Sequence, residues 1–353
     1  MKSSLLSLKL FIFFFLFISI QRLRSDDRVL ISEDLLSLQK RSWNQDKDSY
    51  LQQDPIYNKV TSQFGSLIIQ KKMIDGKIYT YEGKKKPWSS WWFPTFQKEL
   101  FWDGKSRNNS PLGKYDRFVE ALTSSDPDAV GFEEKTLYNP RAQEWDGLCY
   151  SWSIASLIHP EPVKAITKED ITFSIKDQKA LILKSYEEMS NIEMYGERNN
   201  GEWNNVYADI FPEQFHRFVE HYLINKGESF VMDSDASFQV WNVPVYKIQL
   251  KMTLSELDPN VIDVSMWTYN ASPHVSDPNS IGTLEVVRNF TYKLYIKKQD
   301  ALTAEIDRGE WTERSRWDHP DYVLWFQGNN PHKSLNSQLK NEYVGKILGI
   351  SKF

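Results

Sequence analysis

The chain has 353 residues, with 43 Lys and Arg, 47 Asp and Glu, and a single cysteine. A chain of this length can bury a substantial core, and 41% hydrophobic residues with 14% aromatics exclude a mostly disordered protein. One cysteine excludes an internal disulfide framework and a cysteine-rich zinc site.

The first 25 residues have the layout of a secretory signal. An apolar stretch of 11 residues, 10–20, follows Lys2 and Lys9 and precedes Arg22 and Arg24. The stretch is too short for a helix that spans a bilayer, which needs roughly 20 apolar residues. The sequence therefore predicts a signal peptide and a secreted or cell-wall protein without membrane association after cleavage. A retained membrane anchor is the alternative, because the two arginines blur the cleavage site.

Removal of this leader takes away four basic and no acidic residues and leaves a net charge of −8. An acidic secreted chain is a poor candidate for nucleic-acid binding. Three Asn-x-Ser/Thr sequons predict glycosylation in the secretory pathway, at Asn108, Asn270 and Asn289.

Residues 26–86 form a charged N-terminal segment that ends at three consecutive lysines, 84–86. The pattern predicts a short helix after Ser32 and a hairpin with strands at 67–69 and 78–81 on either side of Asp75-Gly76. A lysine run of this kind is typical of a solvated loop, or of the point at which a secreted precursor is cut.

Residues 87–353 have a denser periodic pattern and form the predicted main domain. Helices are predicted at 115–122, 174–186 and 212–223, and strands at 229–232, 239–250, 290–297 and 322–326. Ser174 and Asp177 form a predicted capping pair. Helices that precede most of the strands favour an α+β fold.

Cys149 lies where a predicted turn meets a predicted helix. Asp146-Gly147 is a turn signal, and residues 150–157 are rich in Ala, Ser and Leu, so the thiol falls at or near a helix N-terminus. The helix dipole there favours the thiolate, which is the form that a nucleophile needs. A buried structural cysteine is the alternative.

A thiolate enzyme needs a base, and His319 is the predicted one. Pro320 forces residue 319 into an extended conformation, in which side chains two residues apart share a face. Asp321 can therefore hold the imidazole tautomer, with Asp318 as the rival orienting group. The alternative is an Asp-His-Pro-Asp turn at the surface.

The other histidines are predicted in less suitable places. His216 with Asp233 is the fallback pair, because the two follow Cys149 in the Cys, His, Asp order that some thiol enzymes use. The remaining four are predicted in structural or surface positions, with His159 at the end of the cysteine helix, His221 on a packed helix, and His274 and His332 in loops.

Several segments resemble the elicitor-type transglutaminases, a family of secreted cell-wall enzymes. They cover residues 87 to 326 and comprise 87–94, 110–115, 145–152, 238–245, 309–311 and 319–325. The segment Val240-Trp-Asn-Val-Pro-Val245 is similar to the family's Val-Trp-Asn-x-Pro-Val motif, the core of a peptide that plants detect. Here Val243 stands where the family has Gln, and Tyr150 where it often has His. The strand before Gly309 lacks the family's acidic pattern.

The resemblance implies a papain-like core with an antiparallel sheet. It implies that Cys149 attacks the carboxamide of a protein-bound glutamine, with His319 as the base and Asp321 as its orienting group. Ammonia leaves, and a lysine amine or water resolves the thioester. Tryptophans near the site, Trp145, Trp152 and Trp241, would exclude water. The expected partners are proteins with accessible Gln and Lys. The sequence requires no cofactor, and a calcium requirement is left open.

Two other functions use the same residues. A secreted papain-like cysteine peptidase would have the same Cys and His on the same core, and a catalytically inactive cell-wall glycoprotein would keep only the scaffold. For residues 26–86 we expect either an inhibitory pro-region that packs over Cys149 or an ordinary N-terminal subdomain.

Overall fold

The computed structural model describes residues 58–199, 209–234, 236–351 and 353. The predicted signal peptide and the predicted helix after Ser32 lie outside the described residues. The helices are α1 (Lys59–Phe64), α2 (Pro111–Thr123), α3 (Ala129–Phe132), α4 (Cys149–Ile158), α5 (Ile175–Ser185), α6 (Pro212–Val219) and α7 (Asn341–Leu348). The strands are β1 (Ile68–Gln70), β2 (Ile78–Glu82), β3 (Ile166–Lys168), β4 (Ile171–Phe173), β5 (Glu188–Met189), β6 (Glu193–Gly196), β7 (Phe230–Asp233), β8 (Asn242–Leu254), β9 (Val261–Ala271), β10 (Glu285–Gln299), β11 (Thr303–Trp311), β12 (Tyr322–Trp325) and β13 (His332–Lys333).

Nine of the strands form one sheet in the order β1-β11-β10-β9-β8-β7-β12-β6, with β2 beside β8. The pairings of this sheet are antiparallel. The first part of β8 pairs with β7 and residues 247–251 pair with β2, so β2 continues the position of β7 along β8. Helices beside an antiparallel sheet confirm the predicted α+β class.

Alternate side chains of the central strands point to opposite faces of the sheet. In β7, Phe230 and Met232 belong to one apolar cluster and Val231 belongs to another. In β12, Val323 joins the first cluster and Leu324 the second. The cluster with Phe230, Met232 and Val323 also contains side chains of α6, and we call its side of the sheet the α6 face. The cluster with Val231 and Leu324 also contains side chains of α2, α4 and α5, and we call its side of the sheet the α4 face.

Two of the predicted helices begin directly after a serine whose side chain caps the helix N-terminus. At α2, Ser110 Oγ accepts a hydrogen bond from the N–H of Gly113 at 3.1 Å, and Pro111 occupies the first turn. At α5, the Asp177 carboxylate accepts the N–H of Ser174 at 2.7 Å, and Ser174 Oγ accepts the N–H of Asp177 at 3.2 Å. This reciprocal pair confirms the predicted capping pair.

The predicted hairpin around Asp75-Gly76 is wrong. Both of its strands exist, but β1 pairs with β11 and β2 pairs with β8. An isolated two-stranded hairpin buries little apolar surface, whereas the large sheet offers two unpaired strand edges. Pairing with the sheet buries Leu67 and Ile69 in the cluster of the α6 face.

The described part of the N-terminal segment, 58–86, is built into the fold. Val60 of α1 is buried against the α6 face, and the N–H of Thr61 donates to Gln214 Oε1 of α6 at 3.0 Å. At the end of the segment, Lys85 Nζ donates to the carbonyl of Ile158, the last residue of α4. Among the described residues, none of the hydrogen bonds or strand pairings of 58–86 involves Cys149.

Strands β9 and β11 are not among the strands predicted from the sequence. Two inward positions of β9 hold the buried polar residues Thr268 and Asn270, which break the apolar alternation. Charged residues alternate with buried Ala304 and Ile306 in β11. Both strands form because they pair with β10 over most of their length, a contact that local periodicity does not report.

Candidate functional site

Cys149 is the first residue of α4, as predicted. The turn before it packs tightly on Trp92, because a Cβ added to Gly147 would lie 2.7 Å from Trp92 Cδ1. The N–H of Leu148 donates to the carbonyl of Trp92 at 2.6 Å. Leu148 is the N-cap and gives no side-chain hydrogen bond to the helix, so its first-turn N–H groups are not capped by that residue. Glycine at 147 is therefore required to place the thiol at this helix N-terminus.

The thiol of Cys149 is buried beneath the Val-Trp-Asn-Val-Pro-Val segment. Its Sγ donates to the carbonyl of Val240 at 3.7 Å, and the residue is 4% exposed. Burial raises the pKa of the thiol to about 11. The charge of Asp233 acts in the same direction, whereas the backbone N–H groups of Asn242, Tyr150 and Cys149 itself favour the thiolate. In this arrangement the sulfur is a neutral thiol at neutral pH.

Three buried polar residues lie at the end of the sheet that faces Cys149. Asp233 ends β7, Asn242 begins β8 and Tyr322 begins β12. Asp233 Oδ1 accepts the N–H of Trp241 at 3.0 Å, and Tyr322 donates its hydroxyl to Asn242 Oδ1 at 3.1 Å. These bonds hold the chain around Val240 against the thiol.

Aromatic rings surround this end of the sheet. Trp92, Trp241 and His274, which we call the indole cluster, meet edge to face, with the His274 ring 4.9 Å from Trp92 and 4.8 Å from Trp241 between centroids. Nearby, Trp145 contacts Phe238 edge to face at 5.0 Å. Trp152 differs from the other tryptophans predicted near the site, because it is fully buried and donates its Nε1–H to the carbonyl of Trp88.

The predicted base His319 lies at the entrance to β12 with both ring nitrogens in use. Nδ1 is 2.9 Å from the carbonyl oxygen of Ser315, and Nε2 is 3.1 Å from Asp209 Oδ2. The ring stacks on Trp311, which belongs to the cluster of the α6 face. Among the described residues, no hydrogen bond or ion pair joins His319 to Cys149.

The two predicted orienting residues have other partners. Asp321 Oδ2 accepts the N–H of Asn199 at 3.0 Å. Asp318 forms ion pairs with Arg288 and Arg314 at 2.8 and 3.0 Å. The carboxylate that contacts the His319 ring is that of Asp209, which the sequence pattern did not indicate because it lies 110 positions away.

The fallback pair His216 and Asp233 is not brought together. His216 lies on α6, and its Nδ1 is 2.7 Å from the hydroxyl of Tyr292. Burial lowers the pKa of His216 to about 4. Asp233 faces Cys149 on the opposite side of the sheet and accepts from Trp241 instead.

The other histidines occupy the kinds of position that were predicted, with one exception. His159 ends α4 and its Nε2 is 2.7 Å from the Tyr186 hydroxyl. His221 is partly buried and stacks on Phe64. His274 is exposed in the loop after β9. His332 is the exception, because it is half-buried in the short strand β13.

The sequons differ in accessibility. Asn108 and Asn289 are exposed, whereas Asn270 is 1% exposed on β9. A glycan on Asn270 is incompatible with this burial, which restricts the predicted glycosylation to the other two sites.

Within the described ranges, no group of three or more His, Cys, Asp and Glu side chains is arranged to hold a metal ion. Over the same part of the chain, no helix is both long and apolar enough to cross a membrane.

Replacing Asp233 with Asn is expected to make the thiol more reactive. The charge of Asp233 raises the pKa of Cys149, so its removal lowers that pKa while an oxygen remains to accept the N–H of Trp241. Iodoacetamide should alkylate Cys149 roughly threefold faster at pH 9. Asp307→Asn, at an exposed carboxylate on β11, is the control and should leave the rate unchanged. An unchanged rate in Asp233→Asn would contradict the electrostatic assignment.

Comparisons with known proteins agree with the motifs of this site. Residues 134–287 match the family model described as transglutaminase elicitor. The crystal structure of the GP42 transglutaminase from Phytophthora sojae has a similar fold, with a TM-score of 0.57 and 19% sequence identity over 84% of this chain and 97% of that chain. No curated protein sequence matches the chain.

The matched region includes Cys149, the Val240–Val245 motif and most of the strands that surround the thiol. Over residues 134–287, the chain is therefore similar to the transglutaminase elicitor family.

Proposed function

We propose that the chain is a protein-glutamine γ-glutamyltransferase that works through Cys149. The family match and the fold support a transglutaminase-like enzyme. The observation that carries the proposal is the position of Cys149 at the start of α4, where three backbone N–H groups favour its thiolate. The leader predicted from residues 1–25 would direct this enzyme to the secretory pathway.

The reaction proceeds in two acyl transfers. Sγ attacks the carboxamide carbon of a protein-bound glutamine, and the tetrahedral intermediate releases ammonia, which takes up the proton from the thiol. The product is a thioester on Cys149. The amine of a lysine then attacks the thioester carbon, restores the thiol and leaves an isopeptide bond. Water in place of the amine gives glutamate.

The surroundings of the thiol suit this chemistry. The N–H groups at the start of α4, which favour the thiolate, would also stabilise the oxyanion of each tetrahedral intermediate. The rings of Trp92 and Trp241 supply apolar surface on the two segments that flank the thiol, and exclusion of water there would favour attack by an amine. The thiol is covered by the carbonyl of Val240, so the chain around Val240 must shift when a glutamine side chain enters.

Amine incorporation tests the proposal. The mature chain is incubated with a glutamine-containing protein and a labelled primary amine, and released ammonia and bound label are measured together. Ammonia release with incorporation supports transglutamination. New peptide termini without incorporation would support the peptidase alternative, and neither product would support an inactive scaffold. The assay is run with and without calcium, and a rate that depends on calcium would show that the enzyme requires it.

A further inference from the structure

His274 packs against residues of the two chain segments that lie on either side of Cys149, although it is 125 residues away in the chain. Its ring contacts Trp241, the residue after Val240, whose carbonyl accepts the thiol hydrogen. It also contacts Trp92, whose carbonyl accepts the N–H of Leu148, the residue before Cys149. Through the indole rings of Trp92 and Trp241, the His274 ring thus packs on the two chain segments that flank Sγ.

The sheet places His274 at the correct end. Strand β7 ends at Asp233 and β8 begins at Asn242, and both residues face Cys149. Strand β9 is antiparallel to β8 and ends at Ala271, so the loop after it emerges at this same end. Ser272 Oγ accepts the N–H of His274 at 3.1 Å and fixes the start of that loop.

The ring of His274 is in a chemical state suited to proton transfer. Packing against the two indole rings removes part of its hydration, which lowers its pKa and favours the neutral imidazole. Among the described residues, no hydrogen bond to either of its ring nitrogens is found. In contrast, ring nitrogens of His159, His216, His319 and His332 are already within hydrogen-bond distance of a partner. His221 packs on Phe64 of α1 and lies away from this end of the sheet.

We propose that His274 is the base that takes the proton from Cys149, which deepens the proposed function and rests on it. The step breaks the S–H bond, moves the proton to an imidazole nitrogen and leaves a thiolate beside an imidazolium. On collapse of the tetrahedral intermediate, the imidazolium returns this proton to the departing amide nitrogen, which leaves as ammonia. Trp92 and Trp241 hold the ring through edge-to-face contacts.

The pH dependence of Cys149 alkylation tests the assignment without any glutamine substrate. An unassisted thiol with a pKa near 11 reacts only at high pH, so reaction between about pH 5 and 8 requires a base. The full chain should react with iodoacetamide between about pH 5 and 8, and we call this part of its pH–rate profile the neutral limb. His274→Ala and His274→Gln should both lose it, with a fall of about tenfold or more at pH 7. Added imidazole should restore part of the rate in His274→Ala.

His221→Ala is the matched control, because it removes a partly buried histidine far from the thiol and should keep the neutral limb. Thermal unfolding of each variant checks that the fold is intact. A neutral limb that survives in both His274 variants, or that is missing from the unmodified chain, would overturn the proposal. Loss of the limb in His319→Ala alone would assign the base to His319. Because alkylation needs no acyl donor or amine, these outcomes are independent of whether the chain incorporates amines.

Discussion

Cys149→Ala is expected to abolish amine incorporation and ammonia release. The substitution removes the only atom in the chain that can carry the thioester, since there is one cysteine. Removal of the nucleophile from a comparable catalytic group lowers kcat by about 10⁶-fold, so the residual rate should not be distinguishable from background.

The same substitution should leave the fold intact. Alanine at 149 keeps the helix start, and the loss of one buried sulfur costs about 1 kcal/mol of unfolding free energy. Circular dichroism and thermal unfolding of the variant check this. Ser153→Ala, a change of similar size one turn further along α4, is the control and should retain activity. Turnover that persists in Cys149→Ala would exclude every thiol mechanism for this chain.

A chain that begins at Pro87 is expected to lose the fold. It lacks β1 and β2, which leaves the edge of β11 and part of β8 unpaired. It also lacks the buried side chains of Val60, Leu67 and Ile69. Full burial of such side chains stabilises by about 1.5–3 kcal/mol each, so their loss approaches the whole stability of a typical domain, about 5–15 kcal/mol.

This truncation also tests the pro-region hypothesis for residues 26–86. A chain that begins at Asn58 keeps every contact described for α1, β1 and β2 and serves as the control. We expect it to unfold cooperatively on heating, and the chain that begins at Pro87 to be insoluble or to unfold without cooperativity. A soluble, cooperative chain from Pro87 with faster amine incorporation would instead support inhibition by the removed segment.

Much of the chain could be read from local pattern. The capping pair Ser174 and Asp177 and the strand Tyr322–Trp325 were predicted because a cap and a short apolar run are local features. The turn–helix junction at Cys149 was predictable for the same reason: the glycine that permits it is two residues away. The motifs that resemble the transglutaminase elicitor family are likewise contiguous segments.

Contacts between segments that are distant in the chain could not be predicted from local pattern. Strands β1 and β2 looked like a hairpin, because sequence shows that 68–70 and 78–82 are close in the chain but not that β11 and β8 have free edges. The predicted link between His319 and Asp321 used the alternation of an extended strand, yet the ring of His319 meets Asp209 from another part of the chain. Side-chain spacing along one segment cannot report which distant segment packs against it.

The sequence by itself determined the composition, the single cysteine, the helix on which it stands and the family motifs. Only the tertiary structure decided which groups surround the thiol. Alternation along β7 and β12 turns Asp233 and Tyr322 toward α4, and packing places the rings of Trp311 and His319 on the α6 face. The physical reason is that every residue of a strand has a fixed side, but the side that meets α4 is set by how the whole sheet packs on its helices.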